Sequence, residues 1–207
     1  MTGKNHPAEA RLRHALARPP HEIEPTSGFA AVAAVFDRNL DLLLIKRAEH
    51  PGDPWSGHVA FPGGRVEAED PGPLHAAMRE TVEEVGLPLH SDQLLGRLDD
   101  LATLGGRPGM VIRPFVVAID AVRPPLSPNR EVAAVLWRAL DVLLVGEGRG
   151  TMQHRRQDQS WTLPCVDFDG VRLWGLTLMV IDGLLDRIDG GGIGLARERR
   201  APSDAAR

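Results

Sequence analysis

Apolar residues fill positions 29–36 almost without interruption and resume over 42–45, with Asp37-Arg38-Asn39 between them. Two short apolar runs joined by a turn composition predict adjacent strands or a buried hairpin. Further strands are expected over 94–104, 110–119, 131–137 and 166–174, all separated by Gly or Pro signals. Two stretches change period. Leu74, Met78, Thr81, Val82 and Val85 recur at helical spacing within 73–85, and Leu176, Met179, Val180, Leu184 and Ile188 within 175–188. They predict a central and a closing helix. Residues 8–17 also have helical composition, broken by Arg18-Pro19-Pro20.

Several strands with a central and a C-terminal helix, and no regular β-α-β alternation, point to an α+β fold. The division that follows is an N-terminal helix and linker arm over 1–27, a main domain over 28–188, and a disordered tail over 189–207. That tail opens on Gly190-Gly191-Gly192 and is poor in apolar residues. The arm covers either its own domain or a neighbouring subunit, and its residues do not choose. Residues 49–64 hold three Pro, four Gly and one Trp, a composition suited to an ordered site loop.

Composition narrows the chemistry. With 207 residues and 43% hydrophobic content the chain can bury one sizeable core. A net charge of −4 gives no global attraction to nucleic acid or to an anionic membrane. The expected partner is a small anionic molecule, met locally by metal ions and a few Arg or Lys; a homodimer is left open. The single cysteine, Cys165, excludes an internal disulfide and a Cys-based zinc site. Residues 1–7 lack a signal-peptide core and no apolar run approaches eighteen residues, so the cytoplasm is the expected location.

On a helical wheel, Glu83 and Glu84 fall within about 60° on either side of Glu80, roughly opposite the apolar stripe. Like charges at these spacings repel, so the cluster asks for a compensating cation. Carboxylates suit hard ions such as Mg²⁺ or Mn²⁺; the plain alternative is a solvated acidic face. Just upstream, Phe61-Pro62-Gly63-Gly64 lets backbone approach a ligand closely. Asp70-Pro71 has the character of an N-cap followed by the first helical residue.

Together Gly64, Asp70 and Arg79-Glu80-Thr81-Val82-Glu83-Glu84-Val85-Gly86-Leu87 resemble the Nudix box. The half from Arg79 to Leu87 agrees at every fixed position. Asp70 stands where Glu is usual, and the gap to Arg79 is one residue longer, as in the coenzyme A pyrophosphatase branch. That branch is further suggested by Leu43-Leu44-Ile45-Lys46-Arg47, Gly57 and Phe61-Pro62-Gly63-Gly64, and by Trp174-Gly175-Leu176-Thr177. Asp53 departs from it, standing where the branch signature has Arg.

The resemblance implies a Nudix-like mixed β-sheet sandwiched between helices, and diphosphate hydrolysis with Mg²⁺ or Mn²⁺ as cofactor. Glu80 and Glu84 are then the expected metal ligands, with Glu83 a third ligand or the base that orients water. Arg79 pairs with Asp70 and holds loop against helix. Arg47 is the candidate phosphate contact, with Gly63 and Gly64 beside the substrate. The expected substrate is coenzyme A or acyl-CoA, giving adenosine 3′,5′-bisphosphate and a phosphopantetheine. Alternatives are a broader nucleoside diphosphate hydrolase (ADP-ribose, dinucleotides, nucleoside triphosphates) and a non-catalytic nucleotide sensor. Trp55 reads as a loop anchor, Trp161 and Trp174 as core. His50 and His58, without cysteine partners, make a zinc site an unfavoured reading.

Overall fold

The structure is a computed structural model. It describes residues 7–52, 55–103, 108–156 and 159–188; Asp53 and the C-terminal tail lie outside them. Its centre is a mixed sheet. Strand β1 (Phe29–Phe36) runs parallel to β7 (Val111–Ala118) along its whole length. On its other edge β1 pairs antiparallel with two different strands. Its start meets β4 (Gly63–Arg65), and its end meets β2 (Asp41–Arg47). Strand β2 continues the sheet through β3 (Val59–Ala60) and β8 (Val132–Ala139). Strands β5 (Leu94–Arg97) and β6 (Leu101–Ala102) flank β7.

The unbroken apolar runs of β1 and β2 follow from burial on both faces. Ala31, Ala33, Val35, Leu43 and Ile45 face one cluster with Ala76, Ala77 and Val85 of helix α2 (Pro73–Val85). Ala34, Phe36, Leu42 and Leu44 face the other, with helix α4 (Gly175–Ile188) and helix α1 (Pro7–Leu16). The sheet is thus held between helices, as expected. Leu12 of α1 is fully buried beside Leu184 and Leu185 of α4. The N-terminal helix therefore covers its own domain.

Four local expectations differ. The single strand expected over 166–174 is the second half of a three-stranded antiparallel sheet, β9 (Arg149–Arg156), β10 (Gln159–Phe168) and β11 (Val171–Trp174). Polar residues on β9 hide its period, because half of it faces solvent. The loop over 49–64 contains β3 and the start of β4. A short helix α3 (Leu140–Val145) follows β8 and ends at Gly146 in the left-handed region. Finally, Val82 is 46% exposed, whereas Glu84 is buried. The acidic face of α2 is not all solvent.

Candidate active site

Small residues bring the site together. Ala31 and Ala33 of β1 and Ala76 and Ala77 of α2 share one buried cluster, so helix and sheet approach closely where β4 pairs with β1. A Cβ on Gly63 would collide with the Ala31 carbonyl and lie 2.7 Å from Val32 Cα, and its φ of +150° already favours glycine. A Cβ on Gly64 would meet the Glu80 carboxylate. The glycine pair leaves the space in which two helix carboxylates meet bare backbone. The loop leading in is pinned to β1, the Ala33 N–H donating to the Pro62 carbonyl at 2.9 Å.

Helix α2 starts at Pro73 after Gly72, so Asp70 is not its N-cap. Asp70 is committed elsewhere. It accepts the Glu67 N–H at 2.9 Å and both Nε (3.1 Å) and Nη2 (3.0 Å) of Arg79. The second proline, not the first, takes the opening helical position. Gly86, at φ +70°, ends the helix by donating its N–H to the Val82 carbonyl at 2.9 Å.

Arg79 is the hub. Besides Asp70, its Nη2 donates to the Arg65 carbonyl at 3.1 Å, and its Nη1 to Glu80 Oε1 and Glu83 Oε2, both at 3.1 Å. One guanidinium thereby ties the strand β4, the loop after it and the helix. Its hydrogen bonds hold the Asp70 carboxyl below the usual range, and Asp70 in turn raises the Arg79 pKa.

The carboxylates occupy three environments. Glu84 is 3% exposed and accepts the Gly63 N–H at 2.9 Å. Burial pushes its pKa up to about 7, against the pull of that N–H, and the neighbouring Glu80 charge adds to the rise. Glu80 is half-buried, and its pKa is likewise raised, first by burial. Glu83 has its side chain 52% exposed, toward solvent. A buried acid that ionises only near neutral pH, beside a second and an exposed third, offers oxygen donors for a hard divalent cation. Among the described residues, no three His, Cys, Asp or Glu side chains already converge on one point. Arg79 holds Glu80 and Glu83 as an internal counter-charge, and the exposed Glu83 can turn away from it. The donor chemistry and the buried Glu84 fit such an ion.

Arg47 closes the other side. It ends β2 where the pairing with β8 shifts register, and its backbone N–H donates to the His58 carbonyl at 2.9 Å. Its charge is felt at Glu84, as is that of Glu131. Glu131 was not singled out from sequence, since only the β2–β8 pairing carries it to the helix; its carbonyl accepts the Ala48 N–H at 2.8 Å. Trp55 is 40% exposed. Trp161 and Trp174 do not enter the core as expected. Trp161 is 40% exposed and Trp174 packs at tilted angles between His58 and His154, because alternation gives the core to Val166 and Phe168 on β10 and to Leu173 on β11.

The family model of the NUDIX domain matches residues 26–165. The chain belongs to the Nudix hydrolase family. It is similar to an uncharacterized Nudix hydrolase, NudL, of Yersinia pestis (strain Pestoides F), with 29% identity over 71% of this chain and 72% of that protein. NudL of Yersinia pseudotuberculosis serotype O:1b matches to the same extent. The crystal structure of a MutT protein from Methanosarcina mazei Go1 superposes with a TM-score of 0.50 at 15% identity, over 84% of this chain and 96% of that one. At that identity the likeness speaks for the fold. As a Nudix hydrolase the protein acts on pyrophosphate bonds, and enzymes of this family need a divalent metal ion. Among the described residues no helix is long and apolar enough to cross a membrane.

Proposed function

We propose that this Nudix hydrolase cleaves the diphosphate of coenzyme A or an acyl derivative. Water adds to one phosphorus, the bridging P–O bond breaks, and adenosine 3′,5′-bisphosphate and 4′-phosphopantetheine leave. The observation that carries the chemistry is the seating of Glu84 on the Gly63 amide and of Glu80 against Gly64. The substrate reading is supported by the upstream signature, Leu43-Leu44, Arg47, Gly57 and Phe61-Pro62-Gly63-Gly64.

Glu80 and Glu84 would hold Mg²⁺ or Mn²⁺, with Glu83 as third ligand or as the base that takes the water proton. A divalent ion supplies charge neutralisation on the diphosphate oxygens and a more acidic water. Glu83 suits the proton-accepting role because it is exposed and can move. Arg79 orients Glu80 and Glu83 while gripping Asp70 and the Arg65 carbonyl. Arg47 is the cation positioned to meet a substrate phosphate, and Gly63 and Gly64 allow the diphosphate to lie close to backbone.

Asp53 favours a second reading, a broader diphosphatase, because it puts an acid where the branch signature has Arg. The test is hydrolysis of coenzyme A, ADP-ribose, a dinucleoside polyphosphate and a nucleoside triphosphate, each with Mg²⁺ and with Mn²⁺, ranked by kcat/KM. Coenzyme A should rank first. A higher rank for any other substrate would overturn the coenzyme A assignment.

A further inference from the structure

The small sheet of β9, β10 and β11 has two unlike faces. One gives Val166, Phe168 and Leu173 to the core. The other carries Trp161, His154 and Trp174. Where a sheet face meets solvent it normally presents polar side chains; beyond the buried Cys165 this one presents rings, in a continuous row. Trp161 and His154 are direct cross-strand partners, with centroids 6.3 Å apart and planes 29° apart. His154 lies 4.8 Å from Trp174, and Trp174 lies 4.7 Å from His58.

The row leads somewhere. His58 precedes β3 in the segment that runs into Phe61-Pro62-Gly63-Gly64, and its carbonyl accepts the Arg47 N–H. At the other end Trp161 remains 40% exposed. Core packing does not account for an indole left uncovered at the end of a ring row that begins at the site loop. Ring-on-ring contact is, however, what a nucleobase requires.

We infer that this row is the platform for the purine base of the substrate, with the Trp161 indole as its outer stacking plane. His154 and Trp174 act as positioning residues that fix the angle of that plane relative to the site loop. The inference rests on the substrate being an adenine nucleotide, and it adds where the base is read. The carboxylates and Arg47 handle the diphosphate; the rings handle the heterocycle.

The test measures binding, not turnover, so it is independent of which diphosphate is cleaved. Calorimetric titration of the full chain with AMP and with ribose 5-phosphate separates the base from the sugar phosphate. AMP should bind more tightly, and Trp161→Ala should weaken AMP about fivefold or more while leaving ribose 5-phosphate unchanged. Trp161→Phe, which keeps a ring, should retain most of the affinity. Equal binding of AMP and ribose 5-phosphate, or AMP binding unchanged in Trp161→Ala, would overturn the platform. So would a dimer in sedimentation that Trp161→Ala dissociates without altering AMP binding, since the face would then belong to a second copy. Loss of the coenzyme A assignment in the turnover panel would leave a positive AMP result standing.

Discussion

Helix α2 with its glycine loop and the β9–β11 sheet meet the same segment, 57–64, from opposite directions, and they are built on different principles. Around α2 the spacing is dense and local. Asp70, Arg79, Glu80, Glu83 and Glu84 lie within fifteen positions; the arginine's hydrogen bonds join all but Glu84, which accepts the Gly63 N–H. In the small sheet the interacting rings come from 58, 154, 161 and 174 and share no linear pattern. The contrast teaches that reacting groups are set by the geometry of a helix and two glycines. The ring row proposed to read the base comes from wherever the chain returns.

The largest effect expected is at Glu84. Glu84→Gln removes the charge of a proposed metal ligand and should lower kcat by about a thousandfold or more, the several kcal/mol a bound cation supplies. Because the replaced charge is buried, the melting temperature at pH 8 should hold or rise. Near-normal turnover with Mg²⁺ would remove Glu84 from the ligand set.

Arg79→Ala comes next, with a loss of about 10- to 100-fold in kcat/KM, the scale of a residue that orients ligands. Steady-state kinetics should find the loss in kcat as well as KM, and a change confined to KM would argue for direct substrate binding. On the far side of the sheet, Leu12→Ala should cost about 2–4 kcal/mol in urea unfolding and leave kcat of the folded protein unchanged. A fall in kcat there would break the separation between the two faces.

The smallest effect is the pH dependence of metal stabilisation. The Glu84 carboxyl titrates near 7 when folded, above its usual 4.5, so the metal-free folded state holds the extra proton between those values. Its stability therefore declines as pH rises from about 4.5 to 7 and levels off above. A cation competes with that proton. The rise in melting temperature on adding Mg²⁺ should be larger at pH 8 than at pH 6, and a larger rise at pH 6 would contradict a buried, protonated Glu84 as ligand.

Much of the frame was legible in the residues. The run 29–36 and the helix 73–85 appear at those bounds, because long apolar runs and a 3.6-residue period are local properties. The box residues were legible for the same reason: one helix places positions three and four apart on one side. Strand β9 was not, since its polar residues face solvent, nor was the role of Asp70, whose N-cap character gives way to its pairing with Arg79. The burial of Glu84 was equally hidden. A wheel gives its direction, but not that Gly63 lies over it.

The sequence by itself determined the frame of the site: three carboxylates on one helix, an arginine and an acid to brace them, and glycines that let backbone come close. Only the tertiary structure decided how those groups are tuned. Sheet pairing carries Arg47 and Glu131 within electrostatic reach of Glu84, and the small sheet lines up Trp161, His154, Trp174 and His58. Burial, field and ring contact depend on distances between residues far apart in the chain, and no local spacing encodes them.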